Sequence, residues 1–167
     1  LLDAENKKRK AYEALDKTYL FSVLFGVRTD SYDLLGRITN TTTVSLASLP
    51  TKLPTVLPHF KGTLRQAYPP YSSRTVFGRP LYWYARHKKL QEITIPEKLI
   101  TISSLSLASF ELLPTSLLHQ IIPEKIQAVH GDFRQTEILS DWESFFHHSP
   151  LPAFPLAHFS ITCSSGT

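Results

Sequence analysis

The sequence contains no methionine, one cysteine (Cys163) and six glycines in 167 residues. A lone cysteine excludes an internal disulfide and suits a reducing compartment, so a cytoplasmic setting is expected. The glycines, at 26, 36, 62, 78, 131 and 166, fall in no phosphate-loop or dinucleotide-binding spacing. No apolar run approaches the roughly 20 residues of a membrane-spanning helix, because Ser, Thr, Pro or a charge interrupts each one. Leu1 to Lys10 carries no secretory leader pattern. With no methionine, Leu1 is not a natural start, and Ser-Ser-Gly-Thr (164–167) follows directly on an apolar stretch. The chain is therefore expected to be the middle of a longer protein, incomplete at both ends.

Acidic residues are missing from a long central stretch. Residues 34–91 hold nine basic side chains and no carboxylate, whereas 92–167 hold eight acidic and three basic ones, and 1–33 are balanced. A 58-residue stretch of one sign creates a field whose natural partner is a polyanion. Phe60, Tyr68, Tyr71, Phe77, Tyr82, Trp83 and Tyr84 interleave the cations. Cations for phosphates and flat rings for bases are the parts that RNA binders combine. A solvated basic face over an aromatic core accounts for the same composition, so both readings stand at this point.

Hydropathy patterning gives a mixed α+β class: a mainly antiparallel sheet with flanking helices. Asp3–Lys17 reads as a polar helix, Tyr19–Val27 as a buried strand, and 28–36 as a polar turn. In that turn Asp30 and Asp33 are expected to bond backbone rather than act as an acid–base pair. The prolines at 50, 54 and 58 limit 44–60 to short helical turns. Tyr68-Pro69-Pro70-Tyr71 forces an extended backbone, and Pro80 starts a helix with Leu81, Tyr84 and Ala85 on one face. Residues 98–107 form a strand with a bulge, and 115–129 a helix interrupted by Pro123. Residues 136–147 form a second helix, 149–155 a linker, and 158–163 a strand with Phe159, Ile161 and Cys163 inward. His147 and His148 have no second pair at zinc-site spacing, so no metal is expected. Cys163 reads as a buried thiol, and Ser164 and Ser165 lack a visible triad partner.

Four stretches, KTYLFSVLFGVRTDSYDLLG (17–36), FKGTLRQAYPPYSSRTVFGRPLYWYAR (60–86), ITI (100–102) and CSSGT (163–167), together resemble the bacterial tRNA pseudouridine synthase B (TruB) family. The resemblance implies the catalytic-domain fold of that family and isomerisation of uridine-55 in the T-arm of tRNA. It implies no cofactor, a monomer, and no membrane association. The target uridine is expected to be flipped out of its stack. The family's nucleophilic aspartate lies in a Gly-Thr-Leu-Asp-Pro segment that this chain lacks, and Asp3 is no substitute. The family's arginine after the CSSGT block is also absent. Tyr19 matches the active-site tyrosine, expected to stack on the flipped base; a core tyrosine at a strand edge is the alternative. Arg28, Thr29 and Asp30 are expected to order the cleft. Lys61, Arg65, Arg74, Arg79, Arg86, Lys88 and Lys89 are expected at phosphates, and Tyr71 beside RNA. Residues 104–158 exceed the family's short connection and read as an acidic, two-helix insert lying away from the cleft. A non-catalytic RNA-binding protein on the same scaffold is the competing function.

Overall fold

The computed structural model describes residues 7–8, 11–12, 14–42 and 48–164. Seven of the fifteen residues of the polar helix expected at Asp3–Lys17, and the last three residues of the CSSGT block, lie outside them.

Four strands form one antiparallel sheet in the order β1-β8-β7-β4. They are β1 (Lys17–Leu24), β4 (Gly62–Ala67), β7 (Glu97–Pro114) and β8 (Ala153–Cys163). A small hairpin of β2 (Val27–Thr29) and β3 (Ile38–Thr41) follows β1, and a second of β5 (Thr75–Val76) and β6 (Arg79–Pro80) follows β4. Among the described residues, the α-helices of six residues or more are α1 (Leu49–Val56), α2 (Leu81–Arg86), α3 (Thr115–Gln127) and α4 (Gln135–His148). The architecture is α+β, as the patterning predicts. No helix among the described residues is long and apolar enough to cross a membrane.

The period of two along a strand separates the two faces of the sheet. Rows Tyr19–Ile161–Leu105 and Phe21–Phe159–Leu107 share one face, and the Phe21 and Phe159 rings stack at 5.2 Å. Rows Thr18–Thr162–Ser104 and Ser22–His158–Ser109 lie on the other, which is polar at its centre. At the far end that face turns apolar, and the two long helices cover it. Leu118, Ile122 and Ile126 of α3, spaced four apart, meet Ile138, Trp142 and Phe146 of α4 and Phe154 of β8, all at most 4% exposed. Burying each such side chain is worth about 1.5–3 kcal/mol, and these residues form the larger of the two cores. Ile100, Ile102 and Cys163 make the smaller one.

Several expectations need correction. β1 is not buried: among the described residues it pairs with β8 alone, Tyr19 and Phe21 are about two-fifths exposed, and Leu20 is 80% exposed. The chain also leaves β1 at Leu24 and turns through Gly26, whose φ is +103°. An apolar run shows strand propensity but not whether a second neighbour exists. α3 is continuous through Pro123, because Leu118, Ile122 and Ile126 are held on α4 and Phe154 strongly enough to offset the lost backbone bond. Pro155 lies inside β8, paired with Leu112, so the linker is shorter than expected. β7 continues to Pro114, with irregularities at 102/104 and 107/109. In the 44–60 stretch, Pro50 occupies the first turn of an eight-residue helix, α1, that also holds Pro54.

Candidate functional site

The loop between β2 and β3 is built by its own side chains. The Thr29 hydroxyl, 7% exposed, donates to the Asp33 carbonyl at 2.8 Å. Asp33 Oδ1 accepts from Ser31 Oγ at 2.7 Å and from the Leu35 N–H at 2.9 Å, an Asx turn. Asp30 closes the loop: its N–H donates to the Arg37 carbonyl at 3.0 Å, and its Oδ1 accepts the Arg37 N–H at 2.9 Å. Both carboxylates serve the backbone, as their loop setting predicts. Arg28 is exposed and lies over the Tyr32 ring at 5.5 Å.

A guanidinium from the acidic segment completes this corner. Arg134 Nη1 and Nη2 donate to Asp30 Oδ2 and Oδ1 at 2.9 and 3.1 Å. Nη1 also donates to Tyr71 Oη at 2.9 Å, and the guanidinium stands 4.2 Å from the Tyr71 ring centroid. Burial, and then the negative field of Asp30, push the Tyr71 phenol above its ordinary range, so it stays protonated. Burial is the largest single influence on Arg134 and opposes its charge, but the hydrogen bond and negative field of Asp30, with the Tyr71 contacts, together outweigh it and raise the guanidinium. Beside this group, Arg37 grips Asp141 of α4 through Nε and Nη2, and the Ile38 N–H donates to the same carboxylate at 3.1 Å. The Arg37 hydrogen bond holds the Asp141 carboxyl below the usual carboxylate range. Arg86 donates to the Asp132 carbonyl at 2.8 Å.

Residues 104–158 therefore do not lie apart from the expected cleft residues, contrary to the sequence reading. Repulsion between an acidic segment and RNA is a sound argument, but it omits a nearer partner. The same carboxylates are attracted to the chain's own basic stretch, and Asp132 and Asp141 pair with Arg86 and Arg37.

The other expected RNA contacts are distributed along β4, the 68–74 loop and α2. Lys61 and Arg65 are exposed, Arg65 on the edge strand β4. Arg74 stands over Tyr68 at 5.2 Å and Arg79 over Trp83 at 3.9 Å, so both guanidinium planes are carried on rings. Lys88 is exposed with φ +56°, and Lys89 pairs with Glu92 at 3.3 Å. Lys98, which the sequence reading missed, shares the Tyr68 ring from the other strand at 5.2 Å; burial lowers its ammonium below the ordinary lysine range.

Tyr19 is 42% exposed on the apolar face of the sheet. Arg28 and Thr29 instead line a cavity of about 540 Å³ on the opposite face, together with Ser22, Leu113, Ile121 and His158. That side also carries a relay the sequence reading did not anticipate. Ser22 Oγ lies 2.7 Å from His158 Nδ1, and His158 Nε2 lies 2.9 Å from Glu111 Oε1. No linear motif signals it, because its members come from three strands and meet only through the sheet register. Among the described residues, no group of three His, Cys, Asp or Glu side chains is arranged to hold a metal ion.

Comparison with known proteins gives a consistent picture. The family model described as TruB family pseudouridylate synthase (N terminal domain) matches residues 1–122. A protein of Caldanaerobacter subterraneus subsp. tengcongensis named tRNA pseudouridine synthase B is 41% identical over 96 residues, 58% of this chain and 33% of that protein. The Aquifex aeolicus protein of the same name is 37% identical over 109 residues, covering 65% and 37%. That of Malacoplasma penetrans is 35% identical over 115 residues, covering 66% and 48%. The matched part of the chain thus spans between a third and a half of the length of these relatives.

Proposed function

Because this chain belongs to the TruB family of pseudouridylate synthases, we propose that it is the central part of a tRNA pseudouridine synthase acting on uridine-55 of the T-arm. The carrying observation is the family match over 1–122, which takes in the Lys17-Thr18-Tyr19 block and the whole basic stretch. Cations carried on rings at Arg74 and Arg79 support an RNA partner, since a stacked guanidinium can face phosphate and base together.

In this reading the uridine leaves its stack and enters the site. The bond from ribose C1′ to N1 breaks, the base turns, and C1′ is joined to C5; the proton on C5 leaves and N1 gains one. A carboxylate nucleophile for that exchange belongs to a segment preceding this chain in the longer enzyme. Tyr19 supplies the aromatic wall for the everted base, and its phenol is the group for proton transfer. Arg28, Thr29 and Asp30 order the 28–37 loop on the other face of the sheet, and Lys61, Arg65, Tyr71, Arg74, Arg79, Arg86, Lys88 and Lys89 contact the T-arm. Residues 104–158, of which 104–122 lie within the family match, brace this loop through Arg134 and Asp141.

The test is release of tritium from a tRNA transcript labelled at uridine C5. The longer protein carrying this chain releases one tritium per tRNA, and a transcript with cytidine at position 55 releases none. Tyr19→Ala abolishes release while leaving tRNA affinity within several-fold, and the 167 residues alone release none. No release by the longer protein, or unchanged release by Tyr19→Ala, overturns the respective assignment.

A further inference from the structure

We propose that Arg134 is a positioning residue for RNA recognition, holding the Tyr71 ring in place for a nucleobase through its simultaneous grip on Asp30. The inference rests on the RNA-modifying reading above and deepens it. Arg134 lies beyond residue 122, where the family match ends, yet both of its side-chain partners lie inside the match.

Three observations converge. First, Arg134 donates to the Tyr71 phenol from 63 positions away in sequence, and the Asp30 carboxylate that it grips also interacts with that phenol, so the ring is held by the Arg134–Asp30 pair. Pro69 and Pro70 restrict the backbone before Tyr71 but leave its side-chain torsions free. Second, the guanidinium covers one face of the ring at 4.2 Å; a base stacking on the other face completes a cation–ring–base sandwich. The charge of Arg134 is matched by bidentate contact with Asp30, both side chains being 20% exposed, so Arg134 is not itself poised for phosphate. Third, Arg134 caps α4 with φ +64° and ψ +33° and makes no side-chain capping bond. Glycine or asparagine suits such a left-handed position better. The arginine is thus poorly matched to its backbone and well matched to Asp30 and Tyr71. The preceding turn fixes its approach, with Asp132 Oδ1 accepting the Arg134 N–H at 3.3 Å and the Asp132 carbonyl held by Arg86.

The strained backbone points to the substitution to test. Arg134→Gly removes the guanidinium and relieves the left-handed conformation, which offsets part of the cost of leaving Asp30 unpaired. In the longer protein, Arg134→Gly raises the Kd for a T-arm stem-loop and the KM for tRNA about tenfold, with kcat within twofold. The slope of log Kd against log salt stays at its wild-type value, because no phosphate contact is removed. Tyr71→Ala gives a similar loss, adding Arg134→Gly to it costs nothing further, and Arg134→Lys recovers only part, since an ammonium cannot span both partners. An unchanged Kd overturns the proposal. So does a salt slope reduced by about one, which marks a direct phosphate contact, or a fall in kcat and Tm at constant KM, which marks a scaffold role. If the wild-type protein binds the stem-loop but releases no tritium, the synthase reading fails while the Kd comparison still decides the role of Arg134. If it binds no RNA, both fail.

Discussion

Asp30 uses its two carboxylate oxygens for three jobs: it closes the 30–37 loop on the Arg37 N–H and receives both arms of Arg134. That division of labour depends on the loop's tight path at Gly36. A Cβ there would sit 2.3 Å from Ser31 Oγ, 2.7 Å from Thr29 Cβ and 2.8 Å from the Ser31 backbone nitrogen. Two of these three cannot swing aside, so Gly36→Ala is expected to destabilise the protein by about 2 kcal/mol. A urea midpoint within error of wild type would show that the loop relaxes freely. Asp141 makes a second prediction at this scale. Its carboxyl is depressed in the fold, first by the Arg37 hydrogen bond. A depressed carboxylate contributes stability above its unfolded pKa of about 3.9 and loses it as pH falls through the lower folded value. Wild type is therefore expected to lose stability steeply below about pH 4, and Asp141→Asn to show a shallower acid limb from a lower plateau. Parallel acid limbs in urea titrations would remove Asp141 from that role.

Among the elements, legibility followed length and period. The strand ending at Cys163 alternates cleanly over its last six residues, and the helix around Trp142 shows Ile138, Trp142 and Phe146 four apart, so both were readable. β2 and β3, at three and four residues, are too short to display a period, and only their polar turn was visible. Pro155 and Pro123 misled for one reason: proline removes a local backbone bond, but whether the element breaks depends on packing absent from the local sequence. Pro123 offers a measurement. It sits mid-helix, where alanine is favoured by about 3 kcal/mol in an exposed host, and part of that gain is offset here by its half-buried packing. Pro123→Ala is expected to raise stability by about 1–2 kcal/mol; a drop would mean that the ring's contacts outweigh the restored bond to the His119 carbonyl. The site was legible only in part for a similar reason. Tyr19 and the cations are local features, whereas Arg134–Asp30–Tyr71 and Ser22–His158–Glu111 are assembled by tertiary contact between distant segments.

At the scale of the whole molecule, the charge segregation in the sequence is partly cancelled by folding. Arg37 and Arg86 are taken up by Asp141 and Asp132, and Lys89 by Glu92. Lys61, Arg65, Arg74, Arg79 and Lys88 have no acidic side-chain partner among the described ion pairs. An unpaired cation that meets a phosphate releases a counterion, whereas a paired one must first give up its carboxylate, with little net release. The two sets should therefore separate in the salt dependence of T-arm binding by the longer protein. Lys61→Ala, Arg65→Ala and Lys88→Ala are each expected to reduce the slope of log Kd against log salt by about 0.9 where the cation meets duplex RNA. Lys89→Ala and Arg86→Ala should change it by much less, even if Arg86→Ala weakens binding by loosening the Asp132 turn that carries Arg134. Equal slope changes across all five variants would mean that the acidic segment swings clear of the basic stretch when RNA arrives, and that the bracing contacts at Asp132 belong to the unbound protein alone.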